Sequence, residues 1–257
     1  MIRARGISVA LPGERVLLEP LDLDAPEGTV VGVFGPNGSG KSTLLRAIAG
    51  QAGPGQVGGE VWIGGERIER TTPARERARR VIYLGSDFRA PFGLTVSELF
   101  EIGVQAGSGG LWTGVSVSER ERISNVASTL GITGFLARPF QTLSDGERQL
   151  MMFARGLIQA PRVLVLDETF SKLDLDRLIA VAGIIRGWIG CGMVFVIASH
   201  DLNFLSEASD QLLLMKKGRR IARGTVDQVL TEENLQTLFE RAHPRIVAGA
   251  DRKKIVY

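Results

Sequence analysis

The chain has 257 residues, which suits one large α/β domain with a substantial core, or two small domains. Hydrophobic residues make up 44% and charged residues 23%, as in ordinary globular proteins, and the net charge of +3 is too small to indicate nucleic-acid binding. The single cysteine, Cys191, excludes an internal disulfide and favours a reducing compartment. There is no apolar N-terminal signal segment and no run of about 18 apolar residues, so we expect a chain that does not cross a membrane.

Short strands and turns are predicted for the first part of the chain. Residues 7–10 and 16–18 are strand-like and flank the turn residues Pro12 and Gly13. The continuous apolar run 30–34 predicts a strand that is buried on both faces.

The stretch directly after this strand fits the pattern G-x-x-x-x-G-K-[ST]. It consists of Gly35, Pro36, Asn37, Gly38, Ser39, Gly40, Lys41, Ser42 and Thr43, and we name it the phosphate loop. Glycines let the backbone curl so that successive N–H groups point at phosphate oxygens, and the helix predicted at 44–49 adds its positive N-terminal dipole. Lys41 would reach the β- and γ-phosphates of a nucleotide, and the Ser42 hydroxyl would ligate Mg²⁺. A plain glycine-rich turn is the alternative, but the pattern arises by chance in only about 1% of chains this long, so we predict nucleotide binding.

The middle of the chain lacks the pattern of short strands that precedes it. Between residues 86 and 159 the sequence predicts amphipathic helices, at 97–102 and 117–130. From residue 160 onward strands and helices alternate, which predicts a mostly parallel sheet covered by helices. The helical block at about 86–159 is therefore expected to be an insertion into a single domain that spans 1–257.

Two carboxylates end the predicted strand 163–166. A buried strand places Asp167 and Glu168 at its C-terminal edge, where ligands bind in open α/β sheets. Asp167 would hold Mg²⁺ through water, and Glu168 would polarise the attacking water as general base. An acidic strand end that only caps the next turn is the alternative; the phosphate loop favours the functional interpretation.

Two further candidate residues, His200 and Ser144, also have a purely structural interpretation. His200 follows the predicted strand 193–197 and could reach a γ-phosphate, although a lone histidine is usually structural. With His243 as the only other histidine, a metal site built from histidines is not expected. Ser144 and Glu147 form a capping-box pattern, yet a serine and free N–H groups at a helix start also make a phosphate site. Spacing alone leaves both interpretations of Ser144 open.

Taken together and in this order, the motifs resemble those of the nucleotide-binding subunit of an ABC (ATP-binding cassette) transporter. Residues 35–43 resemble Walker A, 143–149 the LSGGQ signature, 163–168 Walker B with its catalytic glutamate, 171–174 the D-loop, and His200 the switch histidine. The resemblance covers nearly the full length. It implies a P-loop NTPase core with a mostly parallel sheet, an N-terminal antiparallel β subdomain and an inserted helical subdomain.

The resemblance also implies how the site works. In this family two subunits sandwich two ATP molecules head to tail, and each site pairs one subunit's Walker A with the other's signature. Ser144 and Gly146 would then contact ATP bound to the partner, while Lys41, Glu168 and His200 would be catalytic.

Several positions depart from the family pattern. Ser86 stands where a glutamine usually ligates Mg²⁺ and senses the membrane subunit, and a serine, two carbons shorter, would need a bridging water or the help of Asp87. Leu11 stands where an aromatic residue usually stacks on adenine. Thr169 replaces a proline and Asp145 replaces a glycine. These changes bear on coupling and rate more than on ATP binding.

Residues 91–96, the signature and residues 229–235 resemble the importers of iron siderophores, haem and cobalamin. This implies a membrane permease as partner, a homodimer formed through the ATP sandwich, an indirect link to a substrate-binding protein, no nucleic-acid partner, and a peripheral position on the cytoplasmic face of the membrane.

Two alternatives stay open at this point. A soluble ABC protein acting on ribosomes or DNA usually carries two cassettes or long coiled-coil inserts, and this chain has one cassette and no heptad run. A nucleotide-gated module with weak hydrolysis is suggested by Ser86 and Leu11. It is opposed by the presence of Lys41, Asp167, Glu168 and His200.

Overall fold

Strands occur along most of the chain. The computed structural model describes residues 1–13, 16–53, 55–85, 93–108, 114–239, 245–248 and 253–256. The strands are β1 (Ile2–Ala10), β2 (Val16–Ala25), β3 (Val30–Phe34), β4 (Gln56–Ile63), β5 (Glu66–Ile68), β6 (Val81–Gly85), β7 (Val163–Asp167), β8 (Val194–Ala198), β9 (Gln211–Lys216), β10 (Arg219–Thr225), β11 (Arg245–Ala248) and β12 (Lys253–Val256). The strands β5 and β10 and the β11–β12 hairpin have no counterpart among the predicted elements.

Helices connect most of these strands. They are α1 (Lys41–Ile48), α2 (Ala74–Arg80), α3 (Val96–Ser108), α4 (Val117–Thr129), α5 (Asp145–Gln159), α6 (Leu175–Ile189), α7 (Leu202–Ala208), α8 (Val226–Val229) and α9 (Glu232–Leu238), with 3-10 turns at Thr133–Phe135 and Phe140–Thr142. Helices α3 to α5 lie between β6 and β7, where the sequence predicts a helical block. Within the described ranges, none of these helices is both long enough and apolar enough to span a bilayer.

The strands form an antiparallel sheet near the N-terminus and a mostly parallel central sheet. The first has the order β2-β1-β4-β5, and the second the order β10-β9-β3-β8-β7-β6. In the central sheet β10 runs antiparallel to β9, and the other neighbours are parallel. Every residue of β3, β7 and β8 is buried, as expected for parallel strands covered on both faces. The predicted α/β fold with an N-terminal antiparallel sheet is confirmed.

Two apolar clusters pack on opposite sides of the central sheet. On β7, Val163 and Val165 belong to the cluster that also holds α1 and the antiparallel sheet, whereas Leu164 and Leu166 belong to the cluster with the remaining helices. This alternation follows from the two-residue period of side chains along a strand. Helix α1 is consequently packed between the two sheets, with its first turn at the carboxyl end of β3.

Candidate functional site

The phosphate loop joins β3 to α1 through glycines that its geometry requires. A Cβ atom at Gly35 would lie 2.1 Å from the backbone oxygen of Met215. Gly38 and Gly40 have φ angles of 77° and 99°, in the left-handed region that favours glycine. The Ser39 hydroxyl is buried and has no hydrogen-bond partner among the described residues. A buried polar atom of this kind fits a loop that receives a polar ligand.

Lys41 opens α1 and points back into the loop. Its side chain is only 5% exposed, and its ammonium donates a hydrogen bond of 2.8 Å to the Gly35 carbonyl. The same ammonium lies 3.7 Å from Oε1 of Glu168. A cation held among backbone groups at a helix start can neutralise a phosphate chain placed there.

Asp167 ends β7 with both carboxylate oxygens engaged. The Ser42 hydroxyl donates to Oδ1 at 3.1 Å, and the Tyr83 hydroxyl donates to Oδ2 at 2.6 Å. Arg46, one turn after Ser42, donates from Nε to the Tyr83 oxygen at 3.1 Å. Burial raises the pKa of the Tyr83 phenol, and the hydrogen bond to Asp167 raises it further, so Tyr83 is a donor at all physiological pH values.

The oxygens of Ser42 and Asp167 are the donor type that Mg²⁺ prefers. No cluster of three or more His, Cys, Asp or Glu side chains suited to a metal occurs in the described part of the chain. Mg²⁺ is usually held by one or two carboxylates together with substrate phosphates, so a hydroxyl and one carboxylate beside the phosphate loop fit such a site.

Glu168 adopts a backbone conformation that is unusual for its residue type. Its φ angle is 51°, and its N–H donates to the Ala198 carbonyl of β8 at 3.0 Å. Left-handed backbone at a residue other than glycine is strained, and such strain clusters at functional sites. The Glu168 side chain is one-third exposed, so its carboxylate is open to both Lys41 and water.

His200 lies at the same edge of the sheet as the carboxylates. It is exposed and follows β8, the strand between β3 and β7. Asp201, the next residue, caps α7 by accepting from the N–H of Phe204. The structure therefore brings His200 to the carboxyl ends of the strands that carry the phosphate loop and Asp167.

The remaining predicted nucleotide residues are Leu11 and Ser86. Leu11 is half-buried and follows Ala10, which pairs with Val16 at the start of β2. A Cβ atom at Gly40 would lie 3.3 Å from the carbonyl oxygen of Leu17, so the start of β2 lies against the phosphate loop. Ser86, like Asp87, falls outside the described residues.

Ser144 starts α5 in a complete capping box. Its hydroxyl accepts from the Glu147 N–H at 3.3 Å, and its own N–H donates to Oε2 of Glu147 at 2.7 Å, which lowers the pKa of that carboxyl. Gly146 approaches the next loop so closely that a Cβ atom would lie 2.9 Å from the carbonyl oxygen of Lys172. Among the described residues, no hydrogen bond joins Ser144 to the phosphate loop. Within one chain, the serine acts as a helix cap, and contact with a partner's ATP stays a prediction.

Sequence reasoning missed three contacts that support this site. Besides Tyr83 on Asp167, the Thr169 hydroxyl donates to the Leu84 carbonyl at 2.9 Å, and Gln149 of α5 bridges to the loop after β7. A tyrosine within an apolar strand is a signal that could have been used, because a buried phenol needs a hydrogen-bond partner. Thr169, which departs from the family proline, has no comparable signal.

Comparison with known proteins identifies the family of this chain. The chain matches the family described as ABC transporter over residues 18–171. A hemin import ATP-binding protein of Rhizobium meliloti (strain 1021) is 37% identical over 248 residues, which cover 93% of this chain and 91% of that protein.

Solved structures share the fold at lower identity. A metal-chelate type ABC transporter in an inward-facing conformation gives a TM-score of 0.78 at 23% identity, over 100% of this chain and 97% of that chain. A dimeric ATP-binding cassette bound to ADP and Pi gives 0.75 at 22% identity, over 88% and 99% of the two chains. On the family match, the hemin import relative and the fold, this chain belongs to the ABC transporter family and is an ATP-hydrolysing cassette subunit.

Proposed function

We propose that this chain hydrolyses Mg-ATP to power import through a membrane permease, and that the cargo is hemin or a related metal chelate such as an iron siderophore or cobalamin. ATP hydrolysis is supported by one observation: four side chains contact each other in pairs at one edge of the sheet, Lys41 with Glu168 and Ser42 with Asp167. The cargo class is supported by the hemin import relative and by the metal-chelate transporter of the same fold.

In this proposal each residue has one task. The phosphate loop and Lys41 bind the triphosphate, Ser42 and Asp167 hold Mg²⁺, and Glu168 is the general base that activates water. His200 contacts the γ-phosphate. Ser86 completes the metal site through water, and Leu11 packs against the base.

The proposed assembly is a homodimer that closes on two ATP molecules. Ser144 and Gly146 of one copy contact the ATP held by the other, and a dimeric cassette of the same fold, bound to ADP and Pi, supports this arrangement. The dimer docks on a permease at the cytoplasmic face of the membrane, and the permease receives cargo from a substrate-binding protein. We propose no nucleic-acid partner.

The test is to purify the tagged chain from detergent-extracted membranes and identify the proteins that accompany it. We expect a polytopic permease, and we expect proteoliposomes holding both subunits to hydrolyse ATP faster when hemin is supplied with its binding protein. If a permease co-purifies but no metal chelate stimulates ATP hydrolysis, the proposed cargo class is wrong. If no permease co-purifies, the proposed transport role is wrong.

A second candidate is a nucleotide-gated module with weak hydrolysis, which the serine at position 86 favours. Steady-state ATP hydrolysis by the purified chain and by its Glu168→Gln variant distinguishes the two. An ATPase that the variant abolishes supports the transporter subunit, whereas a parent no faster than the variant supports the gated module.

A further inference from the structure

The two oxygens of the Asp167 carboxylate are held from different elements of the fold. Ser42 on α1 donates to Oδ1 at 3.1 Å, and Tyr83 on β6 donates to Oδ2 at 2.6 Å. A carboxylate can turn about its Cβ–Cγ bond, and two donors on opposite oxygens prevent that rotation. The orientation of Asp167 therefore depends on the phenol as much as on the serine.

The phenol is itself held in place. Arg46 donates from Nε to the Tyr83 oxygen at 3.1 Å, and its guanidinium carbon lies 5.6 Å from the centre of the Tyr83 ring. Arg46 and Ser42 are four residues apart on α1 and so project from one side of the helix. The helix that begins at the phosphate loop thus fixes Asp167 twice, through Ser42 directly and through Arg46 and Tyr83.

A simpler interpretation is that Tyr83 only satisfies a buried acceptor. Asp167 is 5% exposed, and a buried carboxylate needs hydrogen-bond donors whatever its function. The two carboxylate oxygens have different donors, which indicates that Tyr83 also orients the carboxylate. Tyr83 occupies the oxygen remote from Ser42, so the other oxygen faces the hydroxyl that would share the metal.

We propose that Tyr83 is a positioning residue for the metal: by holding Oδ2 of Asp167, it keeps Oδ1 turned towards Ser42 and the magnesium ion bound with ATP. This inference rests on the proposed function of the site. Outer-shell partners of this kind typically account for about 10- to 100-fold in metal affinity.

The experiment uses Mn²⁺ as the probe for the metal and ADP as the nucleotide. Electron paramagnetic resonance measures Mn²⁺ affinity of the ADP-bound chain, and a fluorescent ADP analogue measures nucleotide affinity in EDTA. For Tyr83→Phe we expect Mn²⁺ affinity to fall about 10-fold or more while metal-free nucleotide affinity stays within about twofold. Tyr257→Phe, a change at the only other tyrosine of the chain, is the matched control and should alter neither value.

Arg46→Met provides a second variant should Tyr83→Phe fold poorly. It removes the donor to the phenol and should weaken Mn²⁺ binding in the same direction, by less. Unchanged Mn²⁺ affinity in a folded Tyr83→Phe protein overturns the inference and leaves Tyr83 as a structural partner only, while the proposed function stands. If the parent chain binds no Mn²⁺ with ADP, both the inference and the metal part of the proposed function fail.

Discussion

The Lys41 ammonium lies 3.7 Å from Oε1 of Glu168, so the cation of the phosphate loop and the carboxylate after β7 face each other. A triphosphate placed on the loop would compete with Glu168 for this cation. Binding would then release the carboxylate from its ion pair, which leaves it free to accept a proton from water.

Replacement of Lys41 by alanine should abolish useful ATP affinity, because the phosphates lose their main cationic partner. An isothermal titration with ATP measures this directly. Arg67→Ala is the control: this cation pairs with Glu60 and Glu69 at the edge strand β5, and ATP affinity should be preserved. Near-normal ATP affinity in Lys41→Ala would place the triphosphate elsewhere.

Glu168→Gln should keep ATP binding and slow hydrolysis by about 10²-fold or more, the usual size of a general-base loss. Glutamine preserves the shape of the side chain but cannot take a proton from water. Phosphate release under saturating ATP is the measurement, with the exposed Glu207→Gln on α7 as the control of equal charge change. Hydrolysis at the parent rate would exclude Glu168 as the base.

The sequence predicts the fold and most of the site because both depend on local patterns. The phosphate loop, its flanking strand and helix, and the pair Asp167–Glu168 are contiguous in the chain. Tyr83 and Gln149 were missed because their partners lie 84 and 22 residues away and meet them only through tertiary packing. The left-handed φ angle of Glu168 could not be predicted either, since a glutamate has no local preference for this backbone conformation.

The two roles considered for Ser144, as a helix cap and as a contact to the partner's ATP, can be separated by experiment. In a Glu168→Gln background, ATP should drive dimers, and adding Ser144→Arg should remove them while ATP binding to the monomer persists, because the bulky side chain blocks the partner's phosphate. Light scattering with and without ATP measures the dimer.

The control for Ser144 lies on α4, where Ser116 and Glu119 form the same capping box. Ser116→Arg should cost about 1 kcal/mol of stability, as Ser144→Arg should, but leave the dimers intact. If both double variants dimerise equally with ATP, Ser144 is a helix cap only and the exchange of sites between subunits must be abandoned.

Leu11→Tyr should tighten ATP binding several-fold, because a leucine gives no offset ring stacking on adenine, an effect of about 0.5–1.5 kcal/mol. The fluorescent-nucleotide titration measures this, with Val117→Tyr as the control that adds a ring at an exposed position of α4. Unchanged or weaker binding in Leu11→Tyr would mean that the base lies against another residue.

Gly35 and Gly38 should respond differently to alanine. A Cβ atom at Gly35 meets the Met215 carbonyl at 2.1 Å, whereas one at Gly38 meets no described atom within 4 Å and suffers only from its φ of +77°. Denaturant unfolding without nucleotide should give a loss of about 3 kcal/mol for Gly35→Ala and about 1 kcal/mol for Gly38→Ala. Equal losses would mean that the loop shifts away from Met215 at little cost.

Gln149 uses both ends of its amide on the loop after β7. Its Nε2 donates to the Ser171 hydroxyl at 3.2 Å, and its Oε1 accepts from the N–H of Lys172 at 2.9 Å. Two bonds from one side chain act as a clamp and resist both sliding and twisting between the parts they join. If α5 rotates relative to the central sheet, either this loop moves with it or both hydrogen bonds break. Movements of the start of α5 and of the loop are therefore coupled.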